Sequence, residues 1–278
     1  MNGNHDVLVQ GNFVPAGLAK QAIGDQSDGG TRDWSQPGGP VVDGQVPADP
    51  ARALLEVVDL LTTVASTGDG HGIDADVIAR DRALYSFVSG GVRILVVDSA
   101  AATGGAEGVI HQADVDAFIA PTLDEAEAQG EPVIVTSHHC SGSLGDGGGL
   151  GGSTQDDALT TDEWRALLGD YPGVIMHLCA HSHTHRVEVI EPLGGHAYWE
   201  VRTASLADQP QEMRLVEVRD EDNGMLSITG IAVDYATPDD LFAEGGRARA
   251  IADYTAAWHG DGSGELDDRN VRLWIAWP

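Results

Sequence analysis

Histidine is the residue type with the clearest capacity for chemistry in this chain. Six of its eleven histidines fall within one 48-residue stretch: His138, His139, His177, His181, His183 and His185. Neutral imidazole is the commonest protein ligand for divalent transition metals. Alternate residues of an extended segment project to one side, so His181 and His183 can reach one site. Any one of these residues alone would be an ordinary surface or core histidine, whereas the clustering predicts metal binding.

A second polar group stands near the start of the chain, at Asn4-His5-Asp6. A carboxamide oxygen can bind or bridge hard cations, and a histidine held by a carboxylate is the usual form of a tuned proton donor. Alone, such a short string is most often a polar turn. In combination with the histidines it completes a set of metal ligands, a proton donor and a residue to orient that donor.

Predicted strands lead into both histidine clusters. The apolar run 133–135 ends just before His138 and His139, and the run 174–176 precedes the cluster at 181–185. A strand followed by a polar cluster and a loop is how α/β enzymes present catalytic groups. We therefore expect the two clusters to meet at one edge of a sheet.

The remaining periodic segments predict further strands and helices. Strands are predicted at 84–88, 92–97, 187–190, 198–202, 213–218 and 225–233, with a hairpin turn at 222–224. Helices are predicted from Asp49-Pro50 through Leu61, around 115–123, from a Thr160/Glu163 capping box, and over 239–259 with an interruption at Gly245-Gly246. Because βα units precede a run of antiparallel strands, the order predicts a mixed sheet assembly in one α/β domain.

Length, composition and charge limit the possible domain organisation and the possible partners. With 278 residues, 42% of them hydrophobic, the chain suits a single domain over 1–278 that carries a long surface insertion at 11–47 and a glycine-rich loop at 141–158. The charge sum of 15 − 44 = −29 repels polyanions and argues against nucleic-acid polymers as partners. No apolar run reaches the ~18 residues of a membrane span, and the first residues are not a signal peptide. The oligomeric state and the compartment stay open, since an export signal could lie upstream of Met1.

Three motif blocks carry a resemblance to a known enzyme family. Gly3-Asn4-His5-Asp6, then His138 at a strand end, then Ala180-His181-Ser182-His183 resemble, in this order, the last three motifs of the calcineurin-like metallophosphoesterases. Alanine at 180 replaces the usual glycine. Segments at 85–93, 171–174 and 199–205 are similar to a bacterial subgroup of that family, so the likeness spans most of residues 1–235. It implies a four-layer αββα fold of two packed mixed β-sheets flanked by helices.

The resemblance also implies the metal ligands. Asn4, His138 and His181 would bind one metal of a two-metal centre, and His183 would bind the other. His138 is preferred to His139 because it stands where the strand ends. The expected cofactors are two divalent or trivalent transition metal ions, Mn, Fe or Zn.

The implied reaction is hydrolysis of a small-molecule phosphate ester, a monoester or a diester, by a metal-bound hydroxide. His5 would protonate the leaving oxygen or stabilise the transferring phosphoryl group, and Asp6 would orient His5. An anionic ester needs positive charge in so acidic a protein, so Arg186, Arg202 and His139 are candidate substrate contacts.

The chain also departs from the family pattern. The two earlier motifs, Asp-x-His and Gly-Asp-x-x-Asp, belong upstream of Gly3 and do not occur there. We therefore expect Met1 to be an internal start, the first strands of the domain to be missing, and this polypeptide to be poorly active and prone to aggregation. The alternative function is a catalytically impaired metal-binding remnant of the same fold that acts as an interaction or binding protein.

Two cysteines, Cys140 and Cys179, follow the same two predicted strands as the histidines. We expect buried, inert thiols at both positions. The alternative is a structural zinc site of mixed histidine and cysteine ligands.

Overall fold

A computed structural model of the chain describes residues 3–6, 31–32, 41–42, 55–67, 72–149, 152–257 and 260–277. Most of the expected insertion at 11–47, and the expected helix start at Asp49-Pro50, lie outside these residues. Within the insertion the strands Thr31–Arg32 (β1) and Val41–Val42 (β2) pair antiparallel.

A six-stranded mixed sheet forms the centre of the fold. Its strands are β3 (Tyr85–Ser89), β4 (Val92–Val96), β5 (Val133–Thr136), β6 (Val174–Cys179), β7 (Arg186–Ile190) and β8 (Tyr198–Arg202). They lie in the order β3-β4-β5-β6-β8-β7. The four central strands are parallel, whereas β3 and β7 run antiparallel to their neighbours. The central strands β5 and β6 are apolar along most of their length because they are covered on both faces.

The described residues form several helices, and those that carry Leu123 and Trp164 cover one face of this sheet. The helices are α1 (Val57–Ala65), α2 (Ala75–Arg80), α3 (consecutive segments Gln112–Asp114, Val115–Ile119 and Ala120–Gln129), α4 (Thr161–Gly169), α5 (Leu241–Thr255) and α6 (Leu266–Arg269). Leu123 of α3 and Trp164 of α4 are buried in one cluster with Val135 of β5. The predicted capping box is confirmed, since the Glu163 carboxylate accepts from the Thr160 N–H at 2.8 Å and the Thr160 hydroxyl accepts from the Glu163 N–H.

A three-stranded sheet packs on the opposite face. It comprises β9 (Met213–Asp220), β10 (Met225–Val233) and β11 (Val271–Ala276), all antiparallel. Ile228 and Leu273 from this sheet share a buried cluster with Met176 of β6. The architecture is therefore a mixed α/β fold with two packed sheets. The second sheet is antiparallel, not mixed as expected, and it gains β11, a strand that the periodic analysis missed.

The C-terminal helix also differs from its prediction. α5 runs through Gly245 and Gly246 without a break. A helix tolerates each glycine at a cost of about 1 kcal/mol, and here the Asp240 carboxylate caps the first turn by accepting from the N–H groups of Phe242 and Ala243. In the part of the chain that the structure covers, none of the helices combines the length and the apolarity of a bilayer crossing.

Candidate metal centre

Polar segments collect at the carboxyl edge of the six-stranded sheet. Ser99 follows β4, the segment 137–141 follows β5, and the segment 180–185 follows β6. Because β4, β5 and β6 are parallel neighbours, their carboxyl ends meet at the same edge. The two histidine clusters are thus adjacent in space, as their positions after predicted strands indicated.

Three histidines form a compact cluster at this edge. His138, His139 and His181 each place one ring nitrogen within 4.8 Å of the others. His181 Nδ1 lies 3.3 Å from His138 Nε2. His181 has a φ of 67°, in the left-handed region that non-glycine residues adopt only at a cost. This backbone turn directs the chain across the sheet edge just after β6, where the His181 ring meets the other two.

The N-terminal turn brings a carboxamide to the same cluster. Asn4 is buried, and its Oδ1 lies 3.1 Å from His138 Nε2 across a separation of 134 residues. The turn closes on itself, since the Gly3 N–H donates to Asp6 Oδ2 at 2.7 Å. A side chain at Gly3 would not fit, because its Cβ would lie 2.9 Å from the His138 ring. His138 therefore contacts both Asn4 and His181, the two other ligands that the resemblance implies for the same metal.

His5 and Asp6 lie on the outside of this turn, and both are exposed. The Asp6 carboxylate raises the pKa of His138, whereas a charge on His5 lowers the pKa of both His138 and His181. These two residues therefore lie within electrostatic reach of the cluster and open to solvent.

His183 lies beside the cluster but has a different partner. Its Nδ1 contacts the carboxylate of Asp208, a residue that no sequence motif indicated. With a φ of 57°, His183 repeats the left-handed conformation of His181. A polar cavity of about 140 Å³ adjoins both histidines and is lined by His181, Ser182, His183, Thr184, Asp208 and Gly260.

The clustered imidazoles are kept neutral by their surroundings. Burial, together with the neighbouring His181, lowers the pKa of His138 to about 4. Burial lowers the pKa of His139 to about 2 and also lowers the pKa of His181. Neutral imidazole is the form that binds metal ions, so no proton has to be displaced at neutral pH.

The donor chemistry fits a transition metal ion. Asn4 Oδ1 lies 3.1 Å from His138 Nε2, and His181 Nδ1 lies 3.3 Å from the same nitrogen. A metal ion bound among these atoms can take all of them as ligands. Among the residues that the structure describes, no carboxylate belongs to this three-histidine cluster. These residues are therefore candidate ligands for a metal ion, and His183 lies beside them with its neighbour Asp208.

The two cysteines form a disulfide, so the expectation of free thiols is wrong, and so is the alternative of a cysteine zinc site. Cys179 is the last residue of β6, and Cys140 lies four residues beyond the end of the neighbouring strand β5; their Cα atoms are 5.0 Å apart, within the range of a disulfide. Two cysteines near the carboxyl ends of two neighbouring strands were the signal that sequence reasoning did not use. The bond links the segment of His138 to the segment of His181.

A series of buried hydrogen bonds supports the segment 137–141. The Glu200 carboxylate contacts His177 Nδ1 at 2.9 Å and accepts from the Ser141 N–H at 2.9 Å. His177 Nε2 contacts the Ser137 hydroxyl at 2.8 Å, and that hydroxyl donates to the His139 carbonyl at 2.7 Å. The fully buried His177 is therefore part of the scaffold of this segment and not of the metal cluster.

His185, the last histidine of the second cluster, belongs to another buried network. Its Nδ1 lies 2.9 Å from Arg214 Nη2, and its Nε2 lies 3.1 Å from Glu212 Oε2. Since a guanidinium can only donate, Nδ1 accepts and the Nε2–H donates to Glu212. Burial and the charge of Arg214 lower the pKa of His185, which leaves it neutral. It anchors the segment that carries His181.

The two candidate arginines differ in their relation to the site. Arg202 lowers the pKa of His181, and its Nε lies 3.4 Å from the sulfur of Cys140. Arg186 is exposed and contacts Glu188 at 3.1 Å. Only Arg202 is thus placed to put positive charge beside the cluster. His139, the third candidate substrate contact, is fully buried.

No protein-family model matches the chain, and no curated protein matches it. Among solved structures, the chain is similar to the sulfate thiohydrolase SoxB of Termus thermophilus in complex with glycerol, with 14% identity and a TM-score of 0.32. That alignment covers 63% of this chain and 29% of the SoxB chain. The sheet order given above, and not this alignment, defines the fold.

Proposed function

We propose that this protein is a metal-dependent hydrolase of small phosphate esters. The observation that carries the proposal is the convergence of Asn4, His138 and His181. These residues come from three separate segments, and each of the two contacts that join them is 3.3 Å or shorter. The family resemblance of the sequence motifs implies the same three residues as ligands.

The residues would divide the work as follows. His138 and His181, with Asn4 beside them, would hold the ion, and the neutral state of the imidazoles favours its binding. A bound transition metal ion would supply Lewis-acid polarisation of a phosphoryl oxygen. His5, exposed on the turn next to Asn4, would donate a proton to the leaving oxygen.

Positive charge near the site would favour the binding of an anionic ester to this acidic chain. With a net charge of −29, the protein surface repels an anionic ester. Arg202 lies close enough to His181 to lower its pKa, so its cation would offset that repulsion where the ester binds. The adjoining cavity of about 140 Å³ would admit a phosphoryl group.

The test is hydrolysis of bis(p-nitrophenyl) phosphate and p-nitrophenyl phosphate by the metal-free chain after addition of Mn²⁺ or Zn²⁺. We expect turnover only with metal, and loss of turnover in His181→Asn. The control is His111→Asn, because His111 contacts Asp157 and belongs to no cluster of metal-ligating side chains in the described residues. Metal-independent turnover, or equal rates in both variants, would refute the proposal.

A metal-binding protein without catalysis is the second candidate. It is favoured by the absence of a carboxylate from the three-histidine cluster in the described residues, which leaves few ligands for the second metal that the family resemblance implies. Elemental analysis and a turnover assay of the loaded chain separate the candidates. Turnover by the metal-loaded chain supports the hydrolase, and metal binding without turnover supports the binding protein.

A further inference from the structure

His139 combines complete burial with an unpaired nitrogen. Its Nδ1 lies 3.0 Å from the Ser99 hydroxyl oxygen, which also accepts from the His139 backbone N–H at 3.1 Å. Its Nε2 is buried and forms no hydrogen bond with any residue in the described part of the chain. Buried polar atoms are nearly always paired, so this nitrogen requires a partner.

The surroundings of His139 indicate what that partner is. Its ring centroid lies 4.2 Å from the His181 ring and 4.8 Å from the His138 ring. One nitrogen from each of the three rings falls within 4.8 Å of the other two. Gly108 packs against the ring so closely that a Cβ there would lie 2.5 Å from His139 Cγ, so the ring has little freedom to turn away.

We propose that His139 is a third imidazole ligand of this metal centre and that Ser99 sets its tautomer. The inference rests on the proposed metal site and adds a ligand that the family motifs do not contain. When Nδ1–H donates to Ser99, the Nε2 lone pair is left for the ion. The Ser99 oxygen has two lone pairs and can accept from both the ring and the backbone of His139.

Three imidazoles also define the class of ion. Nitrogen ligands suit Zn²⁺, Co²⁺ and Ni²⁺, whereas Mn²⁺ and Mg²⁺ prefer sites dominated by oxygen. The centre is therefore expected to select Zn²⁺ or Co²⁺ over Mn²⁺.

The test is metal affinity, measured on the full chain by competition for Zn²⁺ against a chromophoric chelator, with the visible spectrum of the Co²⁺ form as a second readout. His139→Asn is compared with His196→Asn. His196 also has a buried Nε2 without a hydrogen-bond partner in the described residues, but it lies in no cluster of metal-ligating side chains there. We expect His139→Asn to weaken Zn²⁺ binding more than about 100-fold and to change the Co²⁺ spectrum, and His196→Asn to do neither.

If circular dichroism shows that His139→Asn does not fold, Ser99→Ala provides the test. It should weaken Zn²⁺ binding by about 10-fold or more, and Ser99→Thr should restore it. If the wild-type chain binds Zn²⁺ and Ser99→Ala or a folded His139→Asn binds it equally well, His139 is not a ligand and the proposed function stands. If the wild-type chain takes up no metal, both proposals fail together.

Discussion

At the scale of single residues, binding the ion and moving a proton are assigned to different side chains. His181 lies inside the cluster, 3.3 Å from His138, whereas His5 is exposed on the N-terminal turn. We therefore expect His181→Asn to lose the metal. His5→Asn should keep its metal content and lower kcat by about 100-fold or more, which is the usual contribution of a general acid. Elemental analysis paired with steady-state kinetics makes the comparison, and a His5→Asn chain that loses its metal would contradict this division.

The residues of the site were predictable only where a motif or a strand end marked them. Asn4, His138 and His181 were nominated because polar residues stood in a recognisable order after apolar runs. Asp208 carries no such mark, and Ser99 follows a predicted strand but belongs to no motif. Each is an ordinary polar residue whose partner, His139 or His183, is distant in the chain, so only the folded sheet edge reveals the contact.

At the scale of elements, one buried carboxylate joins three strands. Glu200 lies in β8, contacts His177 of β6 and accepts from the Ser141 N–H just after β5. Burial raises the pKa of Glu200, but the hydrogen bonds from His177 and Ser141 outweigh it and lower the pKa to about 2. Such a group stabilises the fold fully above its unfolded pKa near 4.5, and the stabilisation is lost as the pH falls toward 2.

Glu200→Gln should therefore reduce the loss of unfolding free energy at acidic pH. The wild-type chain is expected to lose about 3 kcal/mol of unfolding free energy across this window through Glu200, and the variant should lose that much less. Urea unfolding at a series of pH values from 7 to 2 measures the difference. Glu188→Gln is the matched control, because Glu188 pairs with Glu200 in the strand register but is 36% exposed. If the unfolding free energies of the wild-type chain and Glu200→Gln fall equally at acidic pH, this contact contributes little.

Local patterns predicted most of the elements, and the errors have physical causes. The capping box at Thr160 and the hairpin at 222–224 depend on neighbouring residues, so the sequence alone was sufficient. The glycine pair in α5 was read as a break, but the Asp240 cap and the length of the helix offset the cost of two glycines. Strand β11 pairs with β10 about 40 residues earlier in the chain, a contact that no local pattern can indicate.

At the scale of the whole molecule, sheet topology explains why distant histidines meet. β5 and β6 are parallel neighbours, so the segments that follow them must emerge side by side. The disulfide between Cys140 and Cys179 then fixes the two segments covalently at the edge where the cluster forms. Strand prediction could anticipate the shared edge, whereas the pairing of the cysteines depends on the path of the chain after β5, which brings Cys140 to Cys179 at the end of β6.

The net charge of −29 should make stability and substrate binding depend on salt in the same direction. Repulsion among acidic groups opposes the compact state, and the same field opposes an anionic ester. Raising NaCl from 0.01 M to 1 M shortens the screening length from ~30 Å to ~3 Å. We therefore expect Tm to rise and the KM for p-nitrophenyl phosphate to fall over this range. NaCl and KCl at equal ionic strength should act alike, since the effect is screening and not specific ion binding. A Tm that does not change with ionic strength would mean that the acidic groups are spaced too widely to destabilise the fold.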